Sequence, residues 1–240
     1  MISIIIPSYK GSSILKKSLP DFILYLHQRK IHHEIIIVDD GSNDGGETEK
    51  LASELGCLFL KNPANMGKGA AVRRGMLNAK GDFRIFTDVD IPFEYKNFDN
   101  FLYYLDFKEF DIVIGDRTLP ESTYFTHIPA MRKLGSSVFT FIVGRFITTG
   151  IFDTQCGIKG FRKKIAEDLF SVSNINGFAF DVELMYISLK RNYDIKRLPV
   201  NLRSQDGSSV NLFYHGIKML IEIFMIKINN VKGVYKKKQV

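Results

Sequence analysis

Cysteine is nearly absent from this chain. Cys57 and Cys156 are the only two in 240 residues and show no paired spacing, which excludes a disulfide framework and a zinc knuckle and fits a reducing cytoplasm. No Pro/Ser-rich linker or break in composition divides the sequence, so its length reads as one large domain. No segment repeats, which excludes solenoids and propellers. No G-x-G-x-x-G follows the first apolar run, which argues against a dinucleotide fold. The N-terminus enters Ile2-Ser3-Ile4-Ile5-Ile6-Pro7 with no basic region, adequate apolar region or cleavage site, so no signal peptide is expected. Long uninterrupted apolar runs are missing too. Leu134 to Ile151 contains Arg145 among Ser and Thr, and Leu212 to Ile228 is broken by His215, Lys218, Glu222 and Lys227, so both are poor bilayer spans.

What is present is a hydrophobic content of 45% with evenly spread charge, enough for a packed core. The formal charge is +7, and the total alone does not separate nucleic acid, an anionic membrane and an anionic small substrate as partners. Placement favours lipid: Lys232, Lys236, Lys237 and Lys238 crowd the last nine residues, directly after the apolar stretch. A solvated tail is the competing reading. Basic residues are not interleaved with stacking aromatics, so no nucleic acid is expected.

Strand and helix signals alternate in the first half. Ile2 to Ile6, Glu34 to Val38, Phe83 to Phe86 and Asp111 to Ile114 are short β-branched runs bounded by Gly, Pro, Asn or Asp. Between them, Ser12 or Ser13 can cap a helix reaching about Gln28, and further helical patterns cover Glu47 to Leu55 and Gly67 to Ala79. This βαβα order predicts an α/β fold: a mostly parallel sheet covered on both faces, with ligands at the carboxyl ends of its strands. Asp39-Asp40-Gly41-Ser42, Asp88-Val89-Asp90 and Asp153-Thr154-Gln155-Cys156-Gly157 fall where apolar runs end or break, and so should converge. At least one of Asp39 and Asp40 should project into the crevice; an Asp-Gly turn satisfying itself is the alternative. Asp88 and Asp90, two apart in an extended segment, point the same way and can share one hard cation, Mg2+ or Mn2+, jointly with substrate phosphates. The Gly-Lys-Gly turn at 67–69 opens a helix and offers amide donors to phosphate.

These motifs, with Ile4-Ile5-Ile6-Pro7-Ser8-Tyr9, Asn65-Met66-Gly67-Lys68-Gly69, Ile114-Gly115-Asp116-Arg117 and Phe178-Ala179-Phe180-Asp181-Val182-Glu183-Leu184, resemble the inverting family 2 glycosyltransferases of GT-A (Rossmann-like) fold. The likeness covers nearly the whole chain and is greatest to the dolichyl-phosphate and polyprenyl-phosphate glucosyl- and mannosyltransferases. It implies a GT-A domain over residues 1–211, and the broken apolar pattern and lysines after it read as an amphipathic helix with basic tail over 212–240. It also implies that Pro7, Tyr9, Asp39 and Asp40 line the nucleotide pocket, with Lys68 and Gly69 nearby, and that Asp88 and Asp90 hold the metal. Arg117, Arg132 and Arg203 are the basic residues to place near phosphates. UDP-sugar is the favoured donor, with GDP-mannose open, because Lys10 and Gly11 stand where many relatives carry Asn or Glu.

The chemistry expected is departure of a diphosphate whose developing charge is offset by a divalent cation. A lipid monophosphate acceptor is already largely ionised and needs no strong base. A saccharide hydroxyl, as in surface polysaccharide assembly, would need one, for which Asp153 and Asp181 are candidates. Gln155, a neutral amide, can only orient sugar or phosphate. Asp181 can equally be an acid favourable to a helix dipole. The segments Leu134 to Ile151 and Leu212 to Ile228 could recruit lipid by lying on an anionic surface, or pack onto the sheet. The corresponding location is cytoplasmic, peripheral on the inner face of the cell membrane. Gln205 to Val210 reads as a loop able to close over the donor. A non-catalytic nucleotide- or nucleic-acid-binding protein is the reading from another class.

Overall fold

The computed structural model describes residues 1–123, 143–145, 147, 148, 150–203 and 212–236, of which 212–217 by their backbone. In order, the elements are β1 (Ile2–Ser8), α1 (Ser12–Gln28), β2 (His33–Asp39), α2 (Glu47–Glu54), β3 (Leu58–Lys61), α3 (Lys68–Asn78), β4 (Phe83–Thr87), α4 (Lys96–Leu102), which runs on into a π-turn at Tyr103–Phe107, β5 (Ile112–Asp116), β6 (Ile158–Arg162), α5 (Lys163–Val172), α6 (Phe180–Lys190), β7 (Ile195–Pro199) and α7 (Leu212–Val231). The seven strands among the described residues form one sheet in the order β3-β2-β1-β4-β6-β5-β7.

Burial on both faces explains the unbroken apolar character of the central strands. Successive side chains of β1 alternate between two cores: Ile4 and Ile6 pack with Leu15, Leu19, Phe22 and Leu26 of α1, while Ile5 packs with Ala71, Val72 and Met76 of α3. The α1 residues recur every three or four positions, so one stripe of the helix is core. Ser12 is not the expected cap: Gly11 precedes the first turn, and the Ser12 hydroxyl donates to Glu47 at 3.0 Å.

All pairings are parallel except those of β6, which runs antiparallel between β4 and β5. That reversal builds the site. The last residue of β4, Thr87, pairs with the first of β6, Ile158, so the segment before β6 is delivered beside the segment after β4. Phe86 pairs with Lys159 on the same face, toward α3 and α6.

α7 packs through Ile223 and Ile226 on the core that contains α6. Within the Leu134–Ile151 stretch, read as lying on a membrane surface or packing onto the sheet, Val143, Ile147 and Ile151 are buried in that same core, for which their apolar side chains are suited. Residues 134–142 of that stretch, Arg132 and the loop 205–210 lie outside the described residues. Among the described residues no helix is long and apolar enough to cross a membrane.

Candidate active site

The carboxyl ends of β1, β2 and β4 and the start of β6 form one edge. Pro7 is buried there and Tyr9 is exposed, with the Lys10 ammonium 5.4 Å from the centre of its ring. Asp39 and Asp40 are both buried. Asp39 accepts from the Ser42 amide at 3.1 Å, and Lys61 lies 3.9 Å from it. Asp40 accepts from the Asn62 side chain at 2.7 Å and from the amides of Met66 and Gly67 at 3.0 and 2.8 Å. Asp39 thus satisfies its own Asp-Gly turn, while the Asp40 carboxylate is committed to ordering the 62–67 loop.

Asp88-Val89-Asp90 is a turn rather than an extended segment: the Asp88 carbonyl accepts from the Ile91 amide at 3.0 Å, and Ile91 has φ +43. Strand alternation thus does not align the two carboxylates, as the sequence suggested; Asp88 pairs with the Lys68 ammonium, and the Asp90 charge also acts on it. A positive φ at a β-branched residue is uncommon and marks a backbone held by its surroundings. Ser18 of α1 contributes to this, donating to the Val89 carbonyl at 2.9 Å. Lys68 is ion-paired with Asp88. Burial lowers the Lys68 pKa, but Asp88, Asp181 and Asp90 together outweigh it and hold the ammonium above its usual value.

The helix-start expectation for phosphate needs correction. The Gly67 amide donates to Asp40, and those of Gly69 and Ala70 donate to the Asn176 carbonyl at 2.7 and 3.3 Å. Gly69 is small because Asn176 and Phe180 approach it: an added Cβ would lie 2.6 Å from the Ile175 carbonyl oxygen and from Phe180 Cβ. Of that turn, Lys68 supplies its side chain to the site, while Gly69 supplies room.

Arg117, at the end of β5, grips Asp153 with a two-pronged pair, Nε to Oδ2 at 2.8 Å and a second guanidinium nitrogen to Oδ1 at 2.7 Å, and its amide adds a third bond at 2.7 Å. Burial pushes the Asp153 pKa up, yet the Arg117 bonds and charge and the nearby Lys159 leave it below the ordinary range. Asp153 is a poor base in this setting, and Arg117 is a positioning partner before it is a phosphate ligand. Asp181 in the first turn of α6 is buried and accepts from Lys159 at 2.6 Å. Burial raises its pKa against the pull of Lys159 and Lys68. Lys159 is fully buried, also donating to the Cys156 carbonyl at 2.8 Å and sitting 5.3 Å from the centre of the Phe86 ring. Sequence reasoning gave Lys159 no role, although a lysine inside an apolar strand was a visible signal. Gln155 contacts the Met219 sulfur of α7 at 3.7 Å. Arg203 stacks on Tyr95, guanidinium carbon 4.2 Å from the ring centre, and its amide donates to Pro92 just beyond the Asp88 turn. Burial pushes the Cys156 thiol up to about 12 and Cys57 up to about 11, so neither is a nucleophile.

Three observations test whether this edge fits a divalent cation with a phosphorylated ligand. The donors are hard carboxylate oxygens, as such cations require, and there are too few for an all-protein cage among the described residues. Gly157 leaves a cradle directly on Asp88: an added Cβ would sit 1.9 Å from Oδ2. Ser8 Oγ and Thr87 Oγ1, buried at the ends of β1 and β4, have no hydrogen-bond partner among the described residues. The residues fit the group.

Crossover strands, a carboxylate-bearing turn after β4 and a reversed β6 define a GT-A-type nucleotide-sugar transferase. The family model for glycosyl transferase family 2 matches residues 3–170, and the chain belongs to that family. A dolichyl-phosphate beta-glucosyltransferase of Dictyostelium discoideum is 32% identical across 98% of this chain and 76% of its own length. One from Trichomonas vaginalis is 34% identical across 95% and 73%. Among solved structures, glucosyl-3-phosphoglycerate synthase of Mycobacterium tuberculosis, crystallised with Mn2+, UDP and glucosyl-3-phosphoglycerate, superposes with a TM-score of 0.69 at 17% identity over 94% of this chain and 79% of that one. These likenesses establish an enzyme that transfers a glycosyl group from a nucleotide sugar on a GT-A fold.

Proposed function

We propose that this enzyme moves a hexose, with inversion, from a UDP-sugar to polyprenyl or dolichyl phosphate, using Mg2+ or Mn2+; GDP-mannose is the second-choice donor. The relatives' acceptor and the UDP and Mn2+ of the structural neighbours support this reading. The observation that carries it is the pairing of both candidate bases, Asp153 by Arg117 and Asp181 by Lys159. A hydroxyl acceptor would need one of them free to take a proton. A phosphate monoester, with its second pKa of about 6, does not.

Asp88 and Asp90 would hold the cation, whose chemistry when bound is to neutralise charge on the departing diphosphate. Tyr9 offers a face for the base, and Asp39 the ribose partner. Lys68 places its ammonium at the diphosphate, and Arg203 serves the second phosphate. Gln155 orients the sugar or acceptor. The site works at the cytoplasmic face of the cell membrane, to which the protein attaches peripherally.

The test is nucleotide release from a panel of UDP- and GDP-sugars, with and without a short polyprenyl phosphate, in wild type and Asp90→Ala. Release that needs the lipid phosphate and Asp90 supports the assignment. Release stimulated instead by a saccharide overturns the acceptor, and absence of donor binding overturns the whole reading.

A further inference from the structure

α7 has two faces with different neighbours. Inward, Ile223 and Ile226 are buried, and Glu222, itself buried, accepts from the Ala179 amide at 3.1 Å where α6 begins. Gly177 makes room for that carboxylate: an added Cβ would lie 2.0 Å from Glu222 Oε1. Outward, Leu220, Ile221, Phe224, Met225, Ile228 and Val231 are exposed, Ile221 at 58%, Phe224 at 68% and Val231 at 85%. At a helical spacing these six fall on one side, opposite Glu222 and Ile226. A stripe of this kind is more than scattered surface hydrophobics and calls for a partner. Lys218 and Lys232 are exposed beside it, and Lys227 borders its other edge.

The segment that Glu222 touches is a hub. The Asn176 carbonyl takes the Gly69 and Ala70 amides, next to Lys68 on α3. Asn174 and Ile175 donate their amides to Glu183 of α6 at 3.0 and 2.9 Å. Two residues beyond Ala179 stands Asp181, paired with Lys159. One buried carboxylate on α7 therefore bears on the supports of both lysines at the site.

We propose that α7 lies in the plane of an anionic bilayer with its apolar face down, and that Glu222 is the positioning residue through which this seating sets residues 174–181. The occupant is argued from charge: an apolar stripe bordered by lysines suits acyl chains beneath acidic headgroups. The proposal deepens the lipid-acceptor reading by naming the element that meets the membrane, and its test uses no substrate, so it fails or holds independently of that reading.

The experiment combines flotation on phosphatidylcholine vesicles, with and without phosphatidylglycerol, and hydrogen exchange of the full chain. Wild type is expected to float with the anionic vesicles, and Ile221→Asp/Phe224→Asp to bind at least about tenfold more weakly. On vesicles, exchange of residues 176–181 is expected to slow about tenfold in wild type. Glu222→Ala should bind vesicles equally yet lose that slowing, and Glu222→Gln, which keeps an acceptor for Ala179, should restore it. Equal flotation of the double variant, or dimerisation of wild type that the double variant abolishes without any vesicle binding, overturns the bilayer as occupant. Undiminished slowing in Glu222→Ala overturns the role of Glu222.

Discussion

Gly157→Ala isolates the geometry around Asp88. The new methyl would meet Asp88 Oδ2 at 1.9 Å, where ordinary contact begins at 3.4 Å, so the carboxylate has to retreat by about 1.5 Å. Misplacing a reacting or binding group by about 1 Å costs on the order of 100-fold. Turnover should therefore fall at least about 100-fold, equivalent to about 2.7 kcal/mol. Stability should hardly change, because the Lys68–Asp88 pair is partly buried but still reached by solvent and contributes about 1 kcal/mol, and Gly→Ala stiffens the unfolded chain by a similar amount. The melting temperature should stay within about 4 °C. The assays are nucleotide release and Mn2+ affinity from the free-ion electron paramagnetic resonance signal, alongside thermal melting. Wild-type turnover and Mn2+ affinity would refute the placement of the cation on Asp88. A large melting shift with unchanged Mn2+ affinity would make Gly157 a folding residue.

The Arg117–Asp153 pair allows two further expectations. Arg117→Met leaves a buried carboxylate without its fork and should cost about 3–5 kcal/mol, whereas Arg117→Lys should cost about 1.5–3 kcal/mol, both read by urea unfolding; equal small losses would contradict the pairing. Because the folded pKa of Asp153 is depressed, its contribution is present above the unfolded value of about 3.9 and is lost as pH falls through the folded value. The melting difference between wild type and Asp153→Asn should therefore shrink below about pH 4, and a constant difference from pH 7 to 3 would be the contrary result. Chelation of divalent cations should abolish turnover and the melting shift given by UDP, about 2.7 kcal/mol at 100 times Kd, while leaving the nucleotide-free melting temperature in place.

The first half of the fold was legible because β1, β2 and β4 are largely buried parallel strands with apolar runs, those of β2 and β4 stopping at aspartates. β3 and β7 were not, because Leu58–Lys61 and Ile195–Pro199 are short and half-exposed, with lysines and an arginine among their residues. β6 was hidden for a different reason: Lys159 and Gly160 interrupt its pattern, and antiparallel insertion between two parallel strands leaves no local trace. The sequence named candidate site residues, but not their partnerships. Arg117 and Asp153 are 36 apart, and Asp181 and Lys159 are 22 apart, so only the folded sheet reveals that each acid already has a cation. Glu222 was legible only as a break in an apolar run; its bond to Ala179 crosses 43 residues.

Those partnerships leave one charge in a distinct position. Lys159, Arg117 and Arg197 are paired with Asp181, Asp153 and Asp116, none of which is assigned to the cation, whereas Lys68 is paired with Asp88, which is. On the proposed reading Lys68 would oppose metal binding while no nucleotide is present and support the diphosphate once one is. The two roles have opposite signs in one variant. Lys68→Met should tighten nucleotide-free Mn2+ binding up to about fivefold, by removing a competing ion pair of at most about 1 kcal/mol. It should also lower turnover about 100- to 1,000-fold, by removing a charge aimed at the leaving diphosphate. A fall in both would make Lys68 a structural support of the Asp88 turn, and a rise in Mn2+ affinity with unchanged turnover would leave it only the role of counter-ion.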